Sequence, residues 1–214
     1  MKDFNLFYEE ILYPLQDKIL SEIKKMDLPF YLTGGTLLHR FFYNYRYSDD
    51  LDFFVNGYDD FDELKKNTLM GLKKIKYEIT NQSDCFLSIF VEDKLKIDFV
   101  NDIPFYYGTY NKNDIFPKLD NVLNILSNKL TCLQSRMQPK DLVDIWVIWR
   151  ENKSIDWREI FTASQSKAAG IYPPQIARLI STFPDSELDQ IKFVKNEYAR
   201  LFIKELPQVI ESIL

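Results

Sequence analysis

The sequence predicts an α+β protein, with a mixed sheet and flanking helices over residues 1–105 followed by a helical lobe over residues 106–214. Before Pro104, several short segments alternate polar and apolar residues, which is the pattern of half-buried strands. After Pro104, apolar residues recur at spacings of three and four, which is the pattern of amphipathic helices. The 17 Phe, 13 Tyr and 3 Trp residues can fill a large core, so the chain is predicted to be folded rather than disordered.

The composition excludes several classes of protein. With 6 Gly and 2 Cys in 214 residues, the chain is neither collagen-like nor disulfide-rich. The net charge of −5, with the acidic excess confined to residues 1–112, argues against broad nonspecific binding of nucleic acid. No apolar run approaches the ~20 residues of a membrane span, and the first residues do not form a secretory signal. We therefore expect a cytoplasmic protein without a membrane segment, in which Cys85 and Cys132 are reduced core residues.

The N-terminal half begins with an amphipathic helix, since Phe4, Phe7, Ile11 and Leu15 recur at helical spacing. A short strand then ends at a pair of glycines, and a helix follows it directly. The next strand alternates polar and apolar residues, and the last two strands are close enough to form a hairpin. The predicted helices cover 4–26, 36–44 and 59–74, and the predicted strands cover 28–33, 50–55, 76–80, 85–91 and 95–100.

The C-terminal half is predicted to be entirely helical. Its prolines stand at the starts of helices or in the breaks between them, where proline is tolerated. The predicted helices cover 119–133, 140–150, 157–168, 174–182, 187–201 and 206–214.

Gly34 and Gly35 are the one adjacent glycine pair in the sequence, and they join a strand to a helix. Glycine at this position lets a phosphate approach the backbone, and the first turn of the helix offers free N–H groups. Thr36 adds a hydroxyl donor. The alternative is an ordinary tight turn between strand and helix.

Asp50 and Asp52 lie two residues apart on a predicted strand, so their carboxylates project from the same face. Two adjacent carboxylates repel each other unless a cation lies between them, and carboxylate oxygens suit Mg²⁺. The alternative is a solvated polar face of an edge strand.

Asp98 lies among apolar residues in the middle of another predicted strand, where an unpaired charge is costly. If this strand lies beside 50–55, three carboxylates converge. Three carboxylates can hold two metal ions, which stabilise the attacking and leaving oxygens of a phosphoryl transfer. The alternative is a salt bridge between Asp98 and a nearby lysine.

This order of motifs resembles the nucleotidyltransferase superfamily with the polymerase-beta-like fold, and specifically the AbiEii/AbiGii toxin family. Members of that family carry Gly-Gly-Thr followed by Arg-x-Ser-x-Asp-hydrophobic-Asp-hydrophobic-Phe. The resemblance covers about residues 30–150, and the second motif is filled here by Arg46, Ser48, Asp50, Asp52 and Phe54.

A second block of the sequence matches the Lys-x6-Arg and Lys/Arg-Asp-x-x-Asp patterns of the same family. Lys129 and Arg136 are seven residues apart and therefore lie on one helix face. They could reach nucleotide phosphates or organise the acidic centre. Lys140, Asp141 and Asp144 start the next helix, where the two acids could instead serve only to stabilise the first turn.

The resemblance implies a nucleotidyltransferase-fold lobe over 1–105 that transfers a nucleoside monophosphate from a nucleoside triphosphate to an acceptor hydroxyl. It implies catalytic and Mg²⁺- or Mn²⁺-binding roles for Asp50, Asp52 and Asp98. It also implies a toxin of a toxin–antitoxin or phage-defence pair, with a cognate antitoxin protein and with tRNA or another RNA as acceptor. The residues with an implied nucleotide-binding role are Gly34, Gly35, Thr36, Arg46, Ser48, Lys129, Arg136, Lys140, Asp141 and Asp144.

Two other functions stay open. The acceptor could be a small molecule or a protein, which the net negative charge mildly favours over RNA, or the domain could bind nucleotide or a partner protein without catalysis. His39 is the only histidine, so no multi-histidine zinc site can form. Its side chain is expected to face solvent, with a nucleotide contact as the alternative. The aromatic residues in 41–47 and 104–108 could stack on a base, or could belong to the core and its rim.

Overall fold

The structure, a computed structural model, describes residues 4–214. The chain divides into two units. The sheet unit contains the described residues up to Leu37 together with Ser48–Asp120, and the helical unit contains Leu38–Tyr47 together with Asn121–Leu214. The lobe boundary at residue 105 stays a prediction.

In the described residues, the sheet unit contains one mixed five-stranded sheet. Its strands are β1 (Tyr31–Thr33), β2 (Leu51–Asn56), β3 (Tyr77–Ser83), β4 (Phe86–Val91) and β5 (Leu95–Asp102). Their order in the sheet is β1-β2-β5-β4-β3. β2 and β5 are parallel, and the other neighbouring strands are antiparallel. The predicted mixed sheet is therefore confirmed.

One face of the sheet is apolar and buried. In β2 and β5, alternate residues are at most a few per cent exposed, as the period of two requires. Phe53 and Phe99 stack with their ring centroids 5.4 Å apart, and Phe30 and Phe116 pack against them. The opposite face of the same strands therefore carries the polar residues.

The helices of the sheet unit lie before and between its strands. The N-terminal helical stretch consists of α1 (Asn5–Phe7), a π-helical segment (Tyr8–Leu12) and α2 (Tyr13–Lys25), which begins with Pro14 in its first turn. After β1, α3 (Gly34–Thr36) continues into a second π-helical segment (Leu37–Tyr43). Between β2 and β3 lies α4 (Phe61–Gly71), which is capped by Asp60.

The helices of the helical unit are α5 (Val122–Arg136), α6 (Pro139–Glu151), α7 (Trp157–Lys167), α8 (Pro173–Ser181), a 3₁₀ segment (Asp185–Gln190) and α9 (Asn196–Ile213). The unit is built around α5, which packs against α6, α7 and α8. Trp146 on α6 is fully buried, with Tyr45 and Phe202 edge-on to its ring.

Several of the predicted helix boundaries were wrong. Helix α5 begins three residues later than predicted, because the Asn121 side chain caps it by accepting a hydrogen bond from the Asn124 N–H. In place of the predicted helices 187–201 and 206–214, the chain forms the 3₁₀ segment Asp185–Gln190 and then one helix, α9, which begins only at Asn196. Helix α9 contains Pro207 and buries Phe202 and Val209 on either side of it. The continuous apolar stripe outweighs the one backbone hydrogen bond that proline removes.

The placement of the cysteines also differs from the prediction. In the part of the chain that the structure describes, neither cysteine forms a disulfide, but Cys85 is exposed and Cys132 is only partly buried. Cys85 lies in the turn between β3 and β4, just before the buried run of β4 begins. Within residues 4–214, no helix is long and apolar enough to cross a membrane.

Candidate active site

The glycine turn lies at the junction of β1 and α3. Gly34 has φ +78°, in the left-handed region that favours glycine. A Cβ atom at this position would overlap the carboxylate of Asp52. The glycine is therefore needed both for the backbone conformation and for the close approach of the acidic side chain.

Replacing Gly34 by alanine is expected to lower the free energy of unfolding by at least 2 kcal/mol, about 1–2 kcal/mol from backbone strain and the rest from displacing Asp52. Gly170→Ala is the matched control, because Gly170 has φ +82° with no atom within 4 Å of the added Cβ. Urea unfolding of both variants separates the two contributions. Equal losses in the two variants would show that the contact with Asp52 has no energetic consequence.

A polar row crosses the open face of the sheet beside this turn. Asp52 pairs with Thr33 on one side and with Asp98 on the other, and Asp98 pairs in turn with Ser88. Neighbouring strands are about 4.8 Å apart, so Asp52 and Asp98 are adjacent on the same face. Asp50 lies one residue before β2 and, at a spacing of two, on the side of Asp52.

The carboxylate of Asp98 has two partners in the sheet unit. It accepts a hydrogen bond from Ser88 Oγ at 2.7 Å and pairs with Lys96 Nζ at 2.5 Å. Burial disfavours the charged form of Lys96, but the hydrogen bond to Asp98 and the negative charges of Asp98, Asp50 and Asp52 outweigh it and raise the lysine pKa. The ammonium therefore lies within the field of all three predicted catalytic carboxylates.

This arrangement fits a cation-binding role in its chemistry. Within residues 4–214, no group of three or more His, Cys, Asp or Glu side chains is positioned to hold a metal ion as the side chains stand. The charges of all three aspartates nevertheless act on one cation, the Lys96 ammonium, which pairs with Asp98 and whose side chain is 44% exposed. Their oxygens are the hard ligands that Mg²⁺ and Mn²⁺ prefer.

The segment that leads into β2 is fixed by hydrogen bonds. Thr36 Oγ1 donates to the carbonyl of Asp50, and Gln16 Nε2 donates to the carbonyl of Ser48 at 3.4 Å. The Tyr8 hydroxyl donates to the carboxylate of Asp49. Thr36 thus holds the acidic strand in place, whereas the sequence suggested a donor for phosphate. Tyr8 and Gln16 carried no sequence signal beyond helical periodicity.

Asp120 is a further buried carboxylate that the sequence analysis missed. It is fully buried, and it accepts hydrogen bonds from Thr33 Oγ1 at 2.5 Å and from the Tyr106 hydroxyl at 2.9 Å. Because Thr33 belongs to the polar row, Asp120 supports that row from the edge of the sheet. The sequence analysis placed Asp120 inside the predicted helix 119–133, whereas the observed helix α5 begins only at Val122.

The helical unit contains a buried ion cluster centred on Asp144. This carboxylate pairs with His39 Nε2 at 2.7 Å, with Arg46 Nε at 2.7 Å and with Lys129 Nζ at 2.6 Å. Asp144 is completely buried, and its three partners are at most 7% exposed. His39 is therefore a core residue, and the expectation that it faces solvent was wrong.

Asp141 extends the ion cluster toward solvent. It accepts hydrogen bonds from Lys129 Nζ at 2.9 Å and from Arg136 Nε at 2.9 Å. Arg136 keeps 45% of its side chain exposed. Lys140, one residue before Asp141, lines a shallow cavity of about 280 Å³ together with Gln138.

The charges of the ion cluster stabilise one another. Burial opposes the charge on Asp144, but Arg46 and Lys129 outweigh it and hold the pKa well below its usual range. Burial also opposes the charge on Lys129, yet Asp144 and Asp141 raise its pKa. For His39, burial and the charge of Arg46 outweigh Asp144 and lower the pKa from 6.5 to about 4.

The neutral state of His39 predicts a loss of stability in acid. The unfolded chain binds a proton with a pKa near 6.5 and the folded chain only near 4, so stability is full above pH 6.5 and falls as the pH drops toward 4. We expect the loss to reach about 3 kcal/mol, measured by urea unfolding at pH 7, 5.5 and 4. His39→Gln can still donate to Asp144 and should remove this part of the pH dependence. Identical pH profiles for the two proteins would contradict the assignment.

The fold is that of known nucleotidyltransferases. A candidate nucleotidyltransferase from H. pylori matches with a TM-score of 0.57 at 17% identity, over 100% of this chain and 97% of that one. The crystal structure of ANT(2'')-Ia in complex with adenylyl-2''-tobramycin matches with a TM-score of 0.52 at 12% identity, over 72% of this chain and 94% of that one.

The sequence defines the family more closely. The model of the family described as "Nucleotidyl transferase AbiEii toxin, Type IV TA system" matches residues 18–211, so the chain belongs to this family and is a nucleotidyltransferase. It is also 24% identical over 189 residues to the uncharacterized protein aq_aa25 of Aquifex aeolicus (strain VF5), covering 86% of this chain and 89% of that protein. The predicted family resemblance is confirmed.

Proposed function

We propose that the protein transfers a nucleoside monophosphate from a nucleoside triphosphate to an acceptor hydroxyl, in a metal-dependent reaction at Asp50, Asp52 and Asp98. The acceptor oxygen bonds to the α-phosphorus, the bond from this phosphorus to the oxygen bridging to the β-phosphorus breaks, and pyrophosphate leaves. The observation that carries the proposal is the pairing of Asp52 with Asp98 on adjacent parallel strands beside the glycine turn.

In this proposal the three aspartates have different roles in metal binding and proton removal. Asp50 and Asp52 hold the divalent cation, Mg²⁺ or Mn²⁺, and Asp98 completes its site and helps to take the proton of the acceptor hydroxyl. A bound cation supplies positive charge to the oxygens of the phosphoryl group during transfer. Lys96 lies close enough to Asp98 to hold its carboxylate in place before the cation binds.

In the sheet unit, the proposed nucleotide-binding residues are those of the glycine turn and Ser48. The N–H groups of the glycine turn, Gly34-Gly35-Thr36, bind the β- and γ-phosphates, since a helix start attracts anions. Ser48 is assigned to the same site because it lies two residues before Asp50, in the segment that leads into β2. The family resemblance also supports a nucleotide-binding role for residues of the helical unit: Arg46, Lys129, Arg136, Lys140, Asp141 and Asp144. Within that unit, Asp141 pairs with Lys129 and with Arg136 and so orients both side chains.

The biological setting we propose is that of a toxin acting in the cytoplasm, where nucleoside triphosphates are available. Support comes from the family description, which names a type IV toxin–antitoxin system. A cognate antitoxin protein would then control the activity. We propose tRNA or another RNA as acceptor, with phage defence as the purpose of the pair.

A small molecule or a protein hydroxyl is the second candidate acceptor. The structural relative ANT(2'')-Ia was crystallised with adenylyl-2''-tobramycin, so a related fold accommodates a small hydroxylated acceptor. The net charge of −5 also argues against nonspecific RNA binding, which depends on positive charge.

The proposed function is tested by incubating the purified protein with each α-labelled nucleoside triphosphate, Mg²⁺ and total cellular RNA. Label in RNA identifies both the nucleotide and the class of acceptor. Label in a small molecule or a protein, found by mass spectrometry of an extract, supports the second candidate. If the reaction with Mg²⁺ transfers no more label to any acceptor than the control reaction with EDTA does, the proposed reaction is refuted.

A further inference from the structure

Four aromatic rings form a cluster on the open face of the sheet unit, which we call the aromatic platform. Its members are Tyr31, Phe54, Tyr106 and Tyr110. The rings of Tyr106 and Tyr110 have centroids 4.2 Å apart, and Tyr31 lies 5.1 Å from Tyr110 and 6.1 Å from Phe54. Two of these rings come from adjacent strands, and the other two come from the segment that follows β5.

The aromatic platform lies on the same face as the catalytic carboxylates. Tyr31 pairs with Phe54 across β1 and β2, and Thr33 pairs with Asp52 two residues further along. Residues two apart on a strand share a face and are separated by roughly 7 Å. The platform is therefore one such step from the acidic row, which is about the distance between successive bases of an extended nucleic-acid strand.

Some rings of the aromatic platform are held in place by burial and hydrogen bonding, and one is exposed to solvent. Tyr31 is only 1% exposed, and the hydroxyl of Tyr106 donates to the buried carboxylate of Asp120. Tyr110 is 38% exposed, so its ring is open to a ligand. Lys118 lies with its ammonium 6.0 Å from the centre of this ring and adds positive charge that an adjacent phosphate could meet.

We propose that the aromatic platform stacks a nucleobase next to the phosphoryl group being transferred, with Tyr110 as its main contact. This inference rests on the proposed function, since it places the base relative to the acidic row. Aromatic side chains stack on any base because every base has a π-face. The base belongs either to the acceptor strand or to the incoming nucleotide.

The test compares binding of probes that have or lack one base. The acceptor probes are fluorescein-labelled pentaadenylate and the same oligonucleotide without its 3′-terminal base, measured by anisotropy. The nucleotide probes are α,β-methylene-ATP and ribose 5′-triphosphate, measured by calorimetry with Mg²⁺. Tyr110→Ala should weaken binding of one base-containing probe by about tenfold, the size expected for one aromatic–base stack, while Tyr110→Phe retains binding.

Tyr58→Ala is the matched control, because Tyr58 belongs to the same unit and is 39% exposed, yet lines a cavity with Phe30 and Phe116 of the apolar face. A loss confined to pentaadenylate assigns the platform to the acceptor base, and a loss confined to the ATP analogue assigns it to the incoming base. Unchanged affinities, or equal losses for probes without the base, would overturn the inference.

These measurements keep the inference separate from the proposed reaction. All of them are made at equilibrium and require no transfer. If the protein binds a base through Tyr110 but transfers no nucleotide, the base-stacking inference stands and the proposed reaction is refuted. If the protein transfers nucleotide but Tyr110→Ala leaves the affinities unchanged, the reaction stands and the base-stacking inference is refuted.

Discussion

Replacing Asp52 by asparagine is expected to lower the rate of nucleotidyl transfer at least about a thousandfold. The carboxylate is adjacent to Asp98 on the neighbouring strand, and the proposed cation site loses one of its charged ligands. Stabilisation of transition-state charge by a metal ion is worth several kcal/mol, and about 4 kcal/mol corresponds to a factor of about 10³. The measurement is kcat with the labelled nucleotide and acceptor identified in the transfer assay.

The fold of Asp52→Asn should remain intact, because asparagine has nearly the same shape and the residue lies on the half-buried open face. We expect a thermal midpoint within about 4 °C of the wild type. Asp84→Asn, in an exposed turn of the same unit, is the control and should retain full activity. Transfer at the wild-type rate by Asp52→Asn, or by the equivalent Asp50→Asn, would refute the catalytic assignment.

Replacing Asp144 by asparagine is expected to destabilise the protein by about 3–5 kcal/mol. This carboxylate neutralises Arg46 and Lys129 inside the helical unit. Without its charge, Arg46 and Lys129 remain buried with Asp141, the partner of Lys129, as the remaining carboxylate. The amide also places an NH₂ donor where one carboxylate oxygen accepted from Arg46 and Lys129. The expected result is a fall of about 10 °C in the thermal midpoint, measured by circular dichroism.

The matched control for Asp144→Asn is Asp189→Asn, an exposed aspartate of the same unit that should change the midpoint by less than about 2 °C. A double variant, Asp144→Asn with Lys129→Met, should recover part of the lost stability because it removes one of the buried cations. A midpoint unchanged in Asp144→Asn would show that water or a rearrangement, and not the buried carboxylate, compensates Arg46.

The sequence was sufficient for the strands and for the face on which the acids lie, because the period of two in β2 and β5 is local. It was also sufficient for Lys129 and Arg136 on one face of α5, as both reach Asp141. The prediction that strand 95–100 lies beside strand 50–55 was conditional, since nothing local specifies which strands pair. The parallel pairing of β2 and β5 resolves that condition.

The partners of the buried charges could not be predicted from the sequence. His39 and Asp144 are separated by 105 residues in the chain, and Thr33 and Asp120 by 87. In the sequence, each of these residues has an ordinary local explanation, as a strand, helix-face or helix-start residue. Only the packing of distant elements shows that a charge is buried, and the desolvation that follows is what makes its partners necessary.

The insertion of residues 38–47 of the helical unit between β1 and β2 has a consequence for synthesis on the ribosome. Arg46 emerges 98 residues before its partner Asp144, which corresponds to roughly 5–20 s of translation. The backbone partners of Tyr45 and Tyr47 come later still, at Val194 and Lys192. The connection between the first two strands therefore lacks these partners, and stays exposed to water, while the rest of the sheet is translated. It reaches its final contacts only when nearly the whole chain has been made.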